Sequence, residues 1–118
     1  MAFTSGTATD YIDLAAKLRT FLTSNGWTSL AWTPGNVTTG GMELHLRAPG
    51  AGADKQVFVH IRSQHSDTAP YYTWQISVSI DYDSTLTWGN QPGESNLTNY
   101  FAGWKSSTGY WFYCNDRR

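Results

Sequence analysis

Two histidines, a glutamate and an arginine are the titratable residues that the sequence can bring together. Glu43, His45, His60 and Arg62 take the polar positions of two stretches in which apolar and polar residues alternate. Glu43 placed opposite His60 invites an acid–base or metal-binding interpretation. The sequence lacks a His-x-Glu pattern tied to cysteines and a helix with two histidines one turn apart, and His65 falls in a loop. We therefore expect a solvated cross-strand Glu–His pair that contributes at most about 1 kcal/mol.

Other catalytic patterns are weaker still. Asp81 and Asp83 follow a predicted strand, where Asp commonly starts a turn. Cys114 is the only cysteine, so no internal disulfide forms, and its aromatic neighbours favour a small buried hydrophobic residue over a nucleophile. No nucleophile elbow or phosphate-binding glycine loop is present. The sequence predicts a protein that is not an enzyme, with no catalytic residue, metal or cofactor.

Aromatic residues offer a different chemistry, because exposed Trp and Tyr rings can form platforms on which sugars stack. The chain has six tryptophans. Trp88, Tyr100 and Trp104 lie in an irregular segment and are the candidate residues for binding a glycan or a partner. The alternative, which we favour, is that Trp27, Trp74 and Trp111 fill the core while the others pin a long loop or contact a partner.

One helix must position part of this sequence. Thr7, Thr9 and Asp10 offer side-chain oxygens for the first free amides. Apolar residues then recur at spacings of three and four, which places them on one stripe; they are Tyr11, Leu14, Leu18, Phe21 and Leu22. Asn25 and Gly26 end the helix, and Trp27 is expected to pack back onto Leu22.

The alternating stretches, residues 42–47 and 57–62, predict an antiparallel hairpin because the intervening residues 49–54 form turns. Its faces should differ: one wholly apolar and buried, the other polar. The predicted cross-strand pairs are Leu46 with Val57, Leu44 with Val59 and Met42 with Ile61. A slip by one residue would exchange the two faces, so burial constrains the register.

Further strands are expected at residues 27–33 and 71–82, the latter with Trp74 beside Ile61 and Ile76 beside Val59. Residues 83–107 predict a long loop with a short helical turn at 97–104. Residues 110–114 are aromatic or β-prone at every position, which is typical of a strand covered on both faces. The helix could cover one face, and a second layer or a partner would have to cover the other.

These elements predict one α+β domain over residues 1–118, with an N-terminal helix packed on an antiparallel sheet of about five strands. Charged residues make up only 14% of the chain, against roughly 25% in ordinary soluble domains, and the formal net charge is -1. No basic cluster predicts nucleic-acid binding. No apolar stretch of membrane-spanning length and no secretion signal at residues 1–5 is evident, so we expect no membrane partner.

Short patterns along nearly the whole chain resemble small virion structural proteins of tailed bacteriophages. The similarity runs in order through the helix and its Gly26-Trp27 end, Tyr72-Thr73-Trp74, Gln91-Pro92-Gly93, and Tyr110-Trp111-Phe112 with Arg117-Arg118. In such proteins a similar module often opens a longer tail or baseplate-associated polypeptide. The resemblance carries no catalytic residue across.

This resemblance implies assembly in place of catalysis. We expect a structural or attachment subunit, made in the host cytoplasm and located in the virion at or near the tail, that binds copies of itself and other virion proteins. Low charge and many aromatics agree with it, since interface cores lose charged residues and gain Tyr and Trp. The alternative function is a carbohydrate-binding module used in host recognition.

Overall fold

The computed structural model describes residues 2–50, 56–65, 71–95, 101–104 and 106–114. These residues form an α+β fold with one helix and two antiparallel sheets, which confirms the predicted class. The elements in chain order are β1 (Ala2–Ala8), α1 (Tyr11–Thr23), β2 (Thr28–Thr33), β3 (Glu43–Arg47), β4 (Phe58–His65), β5 (Tyr71–Ser79), β6 (Phe101–Trp104) and β7 (Thr108–Cys114). Strands β2 to β6 form a five-stranded sheet in sequence order, and β1 pairs with β7 in a separate ribbon.

Helix α1 begins and ends where the sequence predicts. A carboxylate oxygen of Asp10 accepts the backbone N–H groups of Ile12 and Asp13 at 2.9 and 2.8 Å, so Asp10 is the N-cap. At the other end Gly26 takes a positive φ of 90°, and the N–H of Trp27 donates to the carbonyl of Leu22. The chain thereby turns directly from the helix into β2.

The N-cap gives a first testable expectation. Asp10→Ala should lower the free energy of unfolding by about 1 kcal/mol, because two helical amides lose their acceptor. Asp10→Asn, which keeps an acceptor oxygen, should retain most of that stability. Urea denaturation of the two variants measures the difference, and equal losses would show that the cap is not what Asp10 contributes.

The hydrophobic core lies between α1 and one face of the five-stranded sheet. Ala15 from the helix is fully buried against Met42, Leu44 and Leu46, with Ile61 from β4 closing the cluster. Partly buried residues surround this centre: Ile12, Leu18, Leu22, Trp27, Trp32, Val59, Trp74 and Ile76. The predicted apolar face of the hairpin therefore is the core face, except that Val57 is 48% exposed, and Trp27 and Leu22 each pack against the core cluster.

The hairpin register differs from the prediction by two residues. Leu44 lies opposite Ile61 and Leu46 opposite Val59, while the N–H of Ala48 donates to the carbonyl of Val57. A shift by two residues keeps every side chain on its face, so the burial pattern could not detect it. The same shift occurs between β4 and β5, where Ile61 pairs with Ile76 and Trp74 with Ser63.

Two predictions after residue 70 are wrong in detail. Strand β5 ends at Ser79, so residues 80–82 are not part of it, and the side chain of Ile80 is 75% exposed. Residues 101–104 form strand β6 on the free edge of β5, where the predicted helical turn would leave backbone groups unpaired. The rest of that predicted turn, residues 97–100, lies outside the described part of the chain.

The ribbon of β1 and β7 adds a layer that the sequence did not predict. Phe112 of β7 faces the helix and its ring lies 5.7 Å from that of Phe21. Its two neighbours along β7 face away: Trp111 and Tyr113 are 75% and 58% exposed, so the prediction that Trp111 fills the core is wrong. Within the described chain only one face of β7 is covered, because burial alternates along the strand, and cover of the other face by a partner stays a prediction. Cys114 is half-buried, where we expected full burial.

Candidate functional site

The polar face of the five-stranded sheet is buried. Its buried side chains come from the three central strands and are His45, His60, Gln75, Ser77 and Ser79. The irregular segment that follows β5, residues 80–95, supplies Tyr82, Trp88 and Glu94 to this face. We call residues 80–95 the cover loop. The expectation of a solvated polar face is therefore wrong, because an irregular loop takes the place of water.

Hydrogen bonds fasten the cover loop to the sheet and to itself. The Ser77 hydroxyl donates to one carboxylate oxygen of Glu94, and the backbone N–H of Gln91 donates to the other. The buried Gln91 side chain accepts from the N–H of Asp83 and donates to the carbonyls of Asp83 and Leu86. A polar side chain that is buried loses its hydrogen bonds to water, which destabilises the fold. Here the internal hydrogen bonds of Gln91 and Glu94 take their place, so the loop can pack against the sheet without that loss.

The end of β5 also binds the cover loop through its backbone. The N–H of Ser95 donates to the carbonyl of Val78 at 2.8 Å, and the N–H of Ile80 donates to the carbonyl of Pro92. Strand β6 pairs only with residues 71–74 of β5. The cover loop therefore continues the pairing along the edge that β6 leaves open.

Trp88 is buried inside the cover loop and stacks on an arginine. Its side chain is 7% exposed, and the Arg62 guanidinium carbon lies 4.0 Å from the ring centre. Two guanidinium nitrogens of Arg62 donate to Gln75 Oε1 at 3.1 and 2.7 Å. This ring is thus covered by a cation–π contact and is no open surface for a sugar. Tyr100 and the side chain of Trp104 lie outside the described residues, so a shared platform with them stays a prediction.

At the centre of the covered face, five residues form what we call the histidine cluster: Glu43, His45, His60, Ser79 and Tyr82. The Nδ1 atoms of His45 and His60 lie 2.7 Å apart, and His60 Nε2 lies 2.7 Å from Ser79 Oγ. His45 Nε2 is 3.6 Å from a carboxylate oxygen of Glu43. The Tyr82 ring packs on both imidazoles, with ring centres 5.4 and 6.2 Å away.

The surroundings of the cluster disfavour protonated imidazole. Burial, followed by the neighbouring His45, lowers the pKa of His60 from 6.5 to about 4, against a smaller opposing effect of Glu94. Burial also lowers the pKa of His45, while Glu43 and Glu94 oppose that shift. Removal from water penalises the charged form of each ring, which is the cause common to both. Both histidines are therefore neutral near pH 7.

The arrangement joins a hydroxyl to a base but does not form an accessible nucleophile. Ser79 is buried, and its hydroxyl lies 2.6 Å from the carbonyl of Asp81 as well as 2.7 Å from His60. A substrate carbonyl could not approach Ser79 without displacing the cover loop. Among the described side chains, no group of three or more His, Cys, Asp or Glu residues is placed to hold a metal ion. The cluster can accept protons and hold the loop.

The sequence brought the correct four residues to one face but paired them wrongly. Glu43 was predicted opposite His60, whereas the structure places Glu43 opposite Arg62 and His45 opposite His60. Ser77 and Ser79 were not recognised as part of the site. One feature of the sequence indicated that this face is packed. The serines on β5 are small and leave room beside the two larger imidazoles, and such a match in size matters only where side chains pack together.

A second candidate surface lies on the ribbon, on the side away from the helix. Phe3 pairs with Tyr113 and Ser5 with Trp111, so three aromatic rings share one face of β1 and β7. Their exposed fractions are 63% for Phe3, 75% for Trp111 and 58% for Tyr113. We call these three residues the aromatic face. Contiguous exposed aromatics of this kind are typical of interaction surfaces.

The fold and its two sites define a small α+β domain with a covered histidine pair and an exposed aromatic face. No protein-family model matches the chain, and no curated protein is significantly similar to it. Within the described residues, no helix is both long and apolar enough to cross a membrane.

Proposed function

We propose that this chain is a non-enzymatic structural or attachment subunit of a tailed bacteriophage particle, present in multiple copies at or near the tail. The observation that supports this best is the aromatic face, where Phe3, Trp111 and Tyr113 are all more than half exposed. Large apolar rings grouped on one surface lose contact with water when a neighbouring subunit covers them. The low charge of the chain and its resemblance to phage virion proteins favour the same function.

The geometry suits assembly because the aromatic face is rigidly supported. Tyr110 and Phe112 alternate with the exposed residues of β7, their rings stack 4.6 Å apart, and Phe112 contacts Phe21 of the helix. The ribbon is thereby anchored to α1 on its inner side. A partner binding the outer side would need little rearrangement, which lowers the entropic cost of association.

Substitution on the aromatic face tests this function. We expect purified protein to self-associate or to bind another virion protein, and Trp111→Ser to weaken that association by about ten-fold or more, as loss of an interface tryptophan commonly does. Ile80→Ser is the control, since Ile80 is equally exposed but lies in the cover loop, directly after β5, and not on the ribbon. Analytical ultracentrifugation and incorporation into particles are the measurements. A strictly monomeric native protein that recovers no partner from particles would contradict the proposal.

Carbohydrate binding is the second candidate, and the aromatic face also supports it. Trp111 and Tyr113 lie two residues apart on the same side of β7, so their rings can form a platform for stacked sugars. A glycan array separates the two functions. Binding by the native protein, lost in a folded Trp111→Ser variant that still assembles, would favour host recognition over a purely structural role.

A further inference from the structure

One choice of tautomers gives the histidine cluster a continuous chain of hydrogen bonds when both rings are neutral. The Ser79 hydroxyl can donate to the carbonyl of Asp81, leaving Ser79 Oγ to accept from Nε2–H of His60. His60 Nδ1 then has no proton and accepts from Nδ1–H of His45. His45 Nε2 is left with a lone pair directed at Glu43, 3.6 Å away. Three of the four ring nitrogens thus have a hydrogen-bond partner, and His45 Nε2, whose lone pair faces a carboxylate, is the nitrogen best placed to take up a proton.

The pair can accept one proton without changing this arrangement. A proton on His45 Nε2 forms an imidazolium beside the Glu43 carboxylate and leaves the bond between the two Nδ1 atoms intact. The second proton must go to His60 Nδ1. That would place two N–H groups head to head across 2.7 Å, with positive charge on both rings. The doubly protonated pair is therefore incompatible with the closed geometry.

Other charged groups around the pair do not remove this conflict. From β3, Arg47 donates to Thr28, and from β4, Arg62 is bound to Gln75 and Trp88. Glu94 from the cover loop accepts from Ser77 and Gln91, so its charge is already hydrogen-bonded. Asp81 of the cover loop accepts from the N–H of Tyr82 and is exposed. Glu43 and Glu94 favour protonation of the cluster, but burial outweighs them at both histidines.

We propose that the histidine cluster is an acid-sensitive latch: protonation of both imidazoles releases the cover loop from the sheet while the helix-side core stays folded. The cover loop is the element that yields because Tyr82 packs directly on the two rings and Ser79 continues into the loop. The core residues Leu44 and Ile61 lie on the opposite face of the same strands. Charging the polar face therefore leaves their packing in place.

The sign of the pH effect follows from the difference in proton affinity between closed and open forms. In the open form His60 regains contact with water and its ordinary pKa of 6.5, whereas in the closed form its pKa is about 4. Protons therefore bind the open form more readily. The closed form is fully favoured above about pH 6.5, and that preference is lost as pH falls towards 4. The opening equilibrium should rise by about two orders of magnitude across this interval.

Hydrogen exchange measured by NMR on the native protein tests the latch. Histidine resonances report proton uptake, and amide exchange, corrected for its intrinsic pH dependence, reports opening. Between pH 7 and pH 4.5 we expect amides of residues 80–95 to lose protection in parallel with histidine titration, while those of Leu44, Leu46 and Ile61 keep theirs. Unchanged protection of the cover loop at pH 4.5, or simultaneous loss in loop and core, would overturn the proposal.

Variants separate the histidines from the carboxylates. His60→Gln and His45→Gln keep a side chain that can hydrogen-bond but does not titrate, so either should flatten the acid response of the cover loop. His65→Gln, at the last residue of the same strand and not one of the five cluster residues, is the control and should leave the response unchanged. If the cluster variants do not fold, the native titration still decides. A response abolished by Glu94→Gln and retained in folded histidine variants would assign the latch to Glu94 and overturn the proposal.

Discussion

Trp88→Ala should lower the free energy of unfolding by about 3 to 5 kcal/mol, the range for loss of a large aromatic side chain from a packed site. Trp88 is 7% exposed and its ring lies against the Arg62 guanidinium. Truncation would leave a cavity within the cover loop and expose one face of a cation that the ring now covers. Urea denaturation followed by circular dichroism measures the loss.

Trp111→Ala is the matched control for Trp88, because it removes the same side chain from an exposed position. It should change the stability of the isolated subunit by less than about 0.5 kcal/mol, as surface substitutions usually do. If both variants lose the same stability, Trp88 does not fasten the cover loop. The comparison also decides the role of Trp88, since a sugar-stacking residue could be removed without loss of stability.

Leu44→Ala should destabilise the protein by about 2 to 5 kcal/mol, because Leu44 is fully buried at the centre of the core cluster. Glu43→Ala, one residue earlier on the same strand, should cost less than about 1 kcal/mol, since Glu43 is only partly buried and its distance to His45 is 3.6 Å. Equal losses at the two positions would show that the faces of β3 are assigned wrongly.

A double-mutant cycle then tests the observed register. Leu44 and Ile61 lie directly opposite each other, so Leu44→Ala and Ile61→Ala should couple by about 0.5 to 3 kcal/mol. Leu44 and Ile80 share no contact partner in the core cluster, and their effects should add. Additive losses for Leu44 and Ile61 would contradict the register.

Local patterns in the sequence predicted the elements whose partners are close along the chain. Asp10 and Gly26 bound the helix as expected, and the predicted strand at residues 27–33 corresponds to β2 at Thr28–Thr33. The hairpin of β3 and β4 was also predicted, with the correct faces. The register of this hairpin was predicted wrongly. A loop two residues longer leaves every side chain on the same face, so the burial pattern does not distinguish the two loop lengths.

The histidine cluster and the loop that covers it could not be predicted from the sequence for a different reason. Alternation along β3 and β5 shows which side chains share a face, but it is the same whether water or protein covers the polar side. The cover loop has no apolar periodicity from which its packing against the sheet could be predicted. Gln91 and Glu94 are common loop residues, and only the structure shows the hydrogen bonds that they form. The pairing of β1 with β7 was not predicted because most residues of β1 are small or polar and do not form an alternating apolar pattern.

That pairing also sets an order of events during synthesis. Ala2 pairs with Cys114 and Ala8 with Thr108, so β1 leaves the ribosome long before its partner strand exists. Contacts so distant along the chain form late, after helix and hairpins have formed from neighbouring residues. The aromatic face, which draws Phe3 from β1 and Trp111 from β7, comes into being only at this last step. A neighbouring subunit that binds this face would therefore recognise only chains in which β1 and β7 have already paired.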